Sequence, residues 1–168
     1  MEAIVPTYSG GKINLADPQP EDINIIDIAV GLSREGRWNN QTRLPVTVAE
    51  HCVVGTILID QENKLPFLLH DASEAYFRDV AGPLKKLPEL AGYKKLEKRM
   101  QEVIYFKYGI TETPALKEMD IRLEGMERSF LMRKPTHESF VDYSALYKLY
   151  DEKMIFEIYM NWFKRLTK

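Results

Sequence analysis

The chain has 168 residues, 45% of them apolar and 11% aromatic, which is enough to build one hydrophobic core. A formal charge of -2, with no basic or acidic tail, excludes the electrostatic footprint of a binder of duplex nucleic acid or anionic membrane, so any bound phosphate has to be held locally. Cys52 is the only cysteine, which excludes an internal disulfide and a cysteine-rich zinc module, and no apolar run approaches the roughly 18 residues of a membrane span.

The opening MEAIVPTYSGGK has no basic flank followed by an apolar core, so a cytoplasmic protein is expected, in the host cytoplasm for a phage-encoded chain. Residues 1–21 contain Ser9-Gly10-Gly11, Pro18 and Pro20, turn chemistry that predicts an arm or cover with at most a short extended piece. From Asp22, the spacing of Ile23, Ile26, Ala29 and Val30 predicts a first helix ending between Gly31 and Gly36. Residues 35–45 have no apolar period yet carry Arg37, Trp38, Asn39, Asn40 and Arg43, as a functional loop would. Val46, Ala49, Val53 and Ile57 predict a second helix of about four turns, against the weak strand preference of its β-branched residues.

Pro66 suits the first turn of a third helix, which is expected to run through LPFLLHDASEAYF until Gly82-Pro83 breaks it. A fourth, amphipathic helix covers Pro88 to Tyr108 and is closed by Gly109 in the left-handed conformation. Thr113 and Pro114 are N-cap and first residue of a fifth, which Pro135 stops. A last helix, Ser144 to Leu166, carries a stripe of Leu, Tyr, Met, Ile, Phe and Trp for core or subunit interface. The prediction is an all-α, single-domain helical bundle over residues 1–168, with an arm (1–21), a core (22–132) and a C-terminal helix (136–168).

His70, Asp71 and Glu74 interrupt an apolar segment, and burying such groups unpaired is costly. A cation flanked by the imidazole of His70 and the carboxylate of Asp71 would explain them, and Glu74, three residues beyond Asp71, shares their helical face. His51, inside VAEHCVV, is the candidate third donor; its alternative is a neutral core histidine bonded to backbone. Asp120, between Met119 and Ile121, reads by itself as a solvated helix carboxylate, and a fourth donor could come from it, from Asp79 or from Glu118. His137 reads as an exposed loop histidine and Cys52 as a small buried apolar residue.

The order His51, His70-Asp71, Asp120 resembles the pattern of the HD-domain phosphohydrolases, an all-helical superfamily. VAEHC, LLHDASEAYFRDVAGPLKK and KEMDIRLEGMER are similar to segments of the YfbR-type 5'-deoxynucleotidases and of the small phage dATP triphosphohydrolases (DatZ), a likeness covering roughly residues 22 to 132. The resemblance implies that His51, His70, Asp71 and Asp120 hold one divalent transition ion such as Zn, Co or Mn, with additional Mg accompanying a triphosphate. It implies that Glu74 orients or deprotonates the attacking water, and that Arg37 and Lys85 contact phosphate; the alternative for each is a salt-bridged or surface side chain. Trp38 would pack on a sugar or base, or else anchor its loop in the core, and Asp79 would face the sugar 3'-hydroxyl.

The expected activity is hydrolysis of dATP to deoxyadenosine and triphosphate by attack of water on the α-phosphorus. Arg34, Arg43, Lys86, Lys94, Lys95 and Lys98 are the candidate cations for the longer phosphate tail, although Lys94, Lys95 and Lys98 read first as a solvated helix face. The alternative is a 5'-deoxynucleotidase acting on monophosphates, and a reading of another class is a non-catalytic, metal-bound nucleotide-sensing module. The expected partners are a small deoxynucleotide and further copies of the chain in a homo-oligomer, with no nucleic acid and no membrane.

Overall fold

A computed structural model of the chain describes residues 2–132, 147 and 150–168. The arm forms a small antiparallel hairpin, β1 (Ile4–Pro6) and β2 (Lys12–Asn14), with Val5 opposite Ile13. Its turn is held to the first helix where the Ser9 amide and hydroxyl donate to the Asp27 carboxylate at 2.6 and 2.8 Å. Ile13 thereby plugs the core, and this hairpin is the extended piece that the arm's sequence only hinted at.

The remaining regular structure is helical, and the fold is all-α. It comprises α1 (Ile25–Arg34), α2 (Val48–Leu58), α3 (Lys64–Leu68), α4 (Glu74–Phe77), α5 (Gly82–Lys85), α6 (Ala91–Tyr108), α7 (Pro114–Leu131) and α8 (Glu152–Leu166). No helix among the described residues is long and apolar enough to cross a membrane.

Helix α2 is the centre of the packing and touches α1, α3, α7 and α8. A capping box starts it: the Thr47 hydroxyl accepts from the Glu50 amide while the Glu50 carboxylate accepts from the Thr47 amide. Every residue from Val48 to Thr56 is buried, so β-branched residues that disfavour a helix locally are overruled by contacts on all sides. Gly55 is required by a close approach, because a β-carbon there would stand 1.9 Å from the Phe67 ring. One apolar cluster gathers Ile28, Ala49, Cys52, Leu68, Met100, Ile104 and Tyr159; a second gathers Val54, Phe67, Leu116, Leu123 and Leu131.

Two expected helices differ in extent. The third does not run unbroken through Leu65–Phe77: it ends at Leu68, passes through turns at residues 69–73, and restarts as α4. The carbonyls that would continue the ladder are taken by side chains. His70 Nδ1 donates to Phe67 O at 2.7 Å, Tyr159 Oη to Leu68 O at 2.7 Å, and Gln101 Nε2 to Leu69 O at 2.7 Å.

The last helix starts at Glu152, since Asp151 Oδ1 accepts from the Met154 amide and so caps it; Tyr150 and Asp151 are not helical. The proposed start at Ser144 and the reading of His137 lie outside the described residues.

Candidate metal centre

His51 projects from the fully buried face of α2, so both ring nitrogens have to be satisfied inside the protein. Its Nδ1 lies 2.8 Å from Glu127 Oε1. That carboxylate also accepts from Arg37 Nε, Trp38 Nε1 and Tyr147 Oη at 3.0, 3.1 and 2.7 Å, and an ionised carboxylate only accepts, so His51 Nδ1 is the donor. His70 Nδ1 is likewise a donor, because its partner is the Phe67 carbonyl. Both neutral imidazoles therefore carry their lone pair on Nε2.

Those two nitrogens face each other at 3.2 Å. Asp120 Oδ1 lies 3.2 Å from His51 Nε2 and 3.5 Å from His70 Nε2, while Asp71 Oδ2 lies 3.2 Å from His70 Nε2 and 3.8 Å from His51 Nε2. Four acceptors converge with no donor among them. Ligand atoms about 2.1 Å from one ion stand about 3.0 Å apart in an octahedral edge and about 3.4 Å apart in a tetrahedral one, so this spacing suits a divalent cation. His51, His70 and Asp120 can together hold a metal ion, with α2, the 69–73 turns and α7 each contributing one of them, and Asp71 stands beside His70 at the edge of that set.

Without a cation the cluster gathers protons instead. Burial pushes the His70 imidazole down, but the Asp71 and Asp120 carboxylates beside it outweigh burial and hold it well above the usual histidine range. Burial opposes ionisation of Asp71 and Asp120 too, and the two imidazoles overcome it, holding both carboxyls below the usual carboxylate range. Cys52 Sγ stands 4.0 Å from His70 Nδ1, the ring edge already given to Phe67 O, so the thiol lies behind the imidazole and away from the four-acceptor pole.

In front of the cluster is a cavity of about 450 Å³, with Asp71 and Asp120 in its lining and the two histidines behind them. Arg37, Trp38, Glu74, Asp79 and Lys85 line it as well. Arg37 is buried, with Nη1 3.5 Å from Asp71 Oδ2. Lys85 Nζ bridges Glu97 at 2.7 Å and Glu74 at 3.4 Å. The other oxygen of Glu74, Oε2, is buried and has no protein partner among the described residues. Burial first, then the neighbouring Asp71 and Asp79, push the Glu74 carboxyl well above its usual range. Asp79 is also pushed up, chiefly by burial.

No family model matches the chain. It is 36% identical over 129 residues to the uncharacterized protein YfdR of Escherichia coli (strain K12), a match spanning 75% of this chain and 71% of YfdR. The chain belongs to the same family as YfdR. A second relative, an uncharacterized protein of Rhodobacter capsulatus, is 36% identical over 111 residues, 61% of this chain and 56% of that protein.

Of the site residues proposed from the sequence, His51, His70, Asp71 and Asp120 form this cluster, and Arg37, Trp38, Glu74, Asp79 and Lys85 line its cavity. The sequence reading missed Glu127, although a signal was there: it lies on α7 with Leu116, Leu123 and Leu131, all buried, so an acid occupies a core-facing position. Glu124 and Arg128, which line the cavity, were missed too, and the Arg128 guanidinium sits 5.4 Å from the Trp38 ring centroid. The residues at positions 38, 39 and 40 take φ values of 57°, 51° and 58°, a left-handed run costly for non-glycine residues. Trp38 accordingly both anchors its loop, through Glu127, and presents a face to the cavity. Of the cations considered for a longer phosphate tail, none lines the cavity: Arg34 pairs with Glu152 and Lys98 with Glu102, both at the surface.

Proposed function

We propose that this protein is a metal-dependent phosphohydrolase acting on deoxynucleotides. The observation that carries the reading is the clustering of His51 Nε2, His70 Nε2, Asp71 Oδ2 and Asp120 Oδ1 with no donor among them, at the wall of a cavity that also holds a buried carboxylate oxygen without a partner among the described residues and three cations. A divalent ion of the Zn, Co or Mn type would supply positive charge at phosphorus and acidify water at neutral pH.

The chain's own groups do the rest. Arg37, held rigid by Glu127, presents guanidinium nitrogens to a phosphoryl oxygen, and Lys85 supplies a second positive charge at the cavity wall. Glu74 is the group placed to orient water and take its proton. Its Oε2 is free for that hydrogen bond, and its raised carboxyl range makes it a stronger base than an exposed glutamate. Trp38 offers an aromatic face to sugar or base, and Asp79 a carboxylate for a sugar hydroxyl. The deoxynucleotide assignment rests on resemblance to the YfbR-type and DatZ enzymes.

The lining favours the monophosphate. Among its residues Arg37, Lys85 and Arg128 stand beside Asp71, Glu74, Asp79, Asp120 and Glu124, and no further cation lines the cavity to meet β- and γ-phosphates. Hydrolysis of dATP to triphosphate would need cations from elsewhere, such as a second copy of the chain. The deciding experiment incubates metal-loaded protein with dAMP, dATP, dGTP and ATP and identifies the products. Orthophosphate from dAMP supports the monophosphate reading; triphosphate from dATP with inert dAMP replaces it; stoichiometric metal with no hydrolysis of any of the four contradicts the enzyme reading and favours a sensor.

A further inference from the structure

Glu127 has no part in the chemistry proposed above, yet it is the most heavily engaged carboxylate in the described structure. It is fully buried on α7, with Oε1 accepting from His51 Nδ1 and Tyr147 Oη, and Oε2 from Arg37 Nε and Trp38 Nε1. Two of these donors belong to the loop at the cavity mouth and one to a residue of the four-acceptor cluster. Asp71 also spans the two, but from inside the cluster itself, through its ion pairs with Arg37 and His70.

A buried carboxylate with four donors is stable only as the anion, and the anion fixes what its partners do. Facing it, His51 has to keep its proton on Nδ1, which leaves the Nε2 lone pair pointing at His70, Asp71 and Asp120. The same carboxylate fixes the direction of the Arg37 guanidinium, whose Nη1 reaches toward Asp71, and ties the left-handed Trp38 turn to α7. We infer that Glu127 is a positioning residue that sets the His51 tautomer for metal ligation and, through its second oxygen, holds Arg37 and Trp38 at the cavity, so that one buried group aligns metal centre and phosphate-facing loop. The inference rests on reading the cluster as a metal centre.

The substitution Glu127→Gln separates this role from mere packing, since it keeps the shape and changes only the donor pattern. The indole and guanidinium groups are obligate donors, so the amide oxygen has to face Arg37 and Trp38 and the amide nitrogen has to face His51 and Tyr147. A donor there drives His51 to the other tautomer, with its proton on Nε2, where a metal would bind. The variant should fold, as judged by circular dichroism, and bind Co(II) at least 10-fold more weakly than the unmodified protein in a titration followed by the visible Co(II) spectrum, a loss expected when the outer partner of a ligating histidine is removed. Equal affinity and an unchanged spectrum would overturn the role of Glu127 while leaving the metal centre intact. Failure of the unmodified protein to take up any Co(II) or Zn(II) would overturn both.

If Glu127→Gln does not fold, nitrogen-15 NMR of the histidines in the unmodified protein tests the same point. The expected result is His51 protonated at Nδ1, with Zn(II) perturbing Nε2. A neutral ring protonated at Nε2 alone, with Nδ1 bare, or coordination through Nδ1, overturns it.

Discussion

Asp71 and Glu74 are three residues apart and both ionisable, yet their surroundings give them opposite characters. The imidazoles of His70 and His51 stabilise the Asp71 carboxylate, whereas Glu74 is buried beside Asp71 and Asp79 and resists ionisation. Substitution should therefore separate them. Asp71→Ala should lose bound metal and hydrolysis together, while Glu74→Ala should keep metal at its original stoichiometry and lose turnover by about 100-fold or more. Metal analysis beside a product assay checks both, and a fully active Glu74→Ala protein would remove Glu74 from the mechanism.

Glu127 carries a pH dependence of its own. Burial pushes its carboxyl up, but His51, Arg37 and its hydrogen bonds outweigh burial and hold it down at about 2, below the ordinary 4.5. A folded value lower than the unfolded one contributes stability that is present above the unfolded value and lost as pH falls toward the folded one; here it is on the order of 3 kcal/mol. The stability difference between chelator-treated unmodified protein and Glu127→Ala should thus shrink from about pH 5 to about pH 2. Denaturant melts across that range measure it, and a flat difference would contradict the assignment.

Among the elements, the interruption between α3 and α4 is what turns His70 and Asp71 toward His51. It is held open by side chains from elsewhere, Gln101 on α6 and Tyr159 on α8, which claim the carbonyls of Leu69 and Leu68. Tyr159→Phe leaves the buried Leu68 carbonyl without that partner and should cost about 1–3 kcal/mol in denaturant unfolding. Gly55→Ala acts on the same segment from the α2 side, because its methyl group would overlap the Phe67 ring and displace the carbonyl that accepts from His70 Nδ1. A loss of about 1–3 kcal/mol is expected from the overpacking, accompanied by weaker metal binding in a Co(II) titration.

At the scale of the whole molecule, the candidate ligands join segments that meet from different directions: α2 at the centre, the turns after α3, and α7 beside the second apolar cluster. A metal ion binding all of them acts as a cross-link present only in the folded state. Metal at about 1,000 times its dissociation constant should stabilise the fold by roughly 4 kcal/mol. Chelation should lower the melting temperature and raise hydrogen exchange in α7 more than in α1 or α8, and uniform exchange with and without metal would argue against α7 supplying a ligand.

The sequence by itself determined the helical architecture, because periodicity, the Thr113-Pro114 start and the Gly109 stop are local signals written in neighbouring residues. It also marked His51, His70 and Asp71, since ionisable groups among apolar neighbours need a reason to be there, whereas Asp120 stood out only through its place in the order of a resembling family. The tertiary structure alone decided the break in the third helix, whose causes lie 32 and 91 residues away, and the Glu127 hub, whose partners come from α2, the 37–38 loop and Tyr147. It alone decided as well that both Nε2 lone pairs point at one place. The reason is physical: periodicity records which face of an element is buried, whereas a hydrogen bond or a ligand set depends on which distant groups are packed against that face.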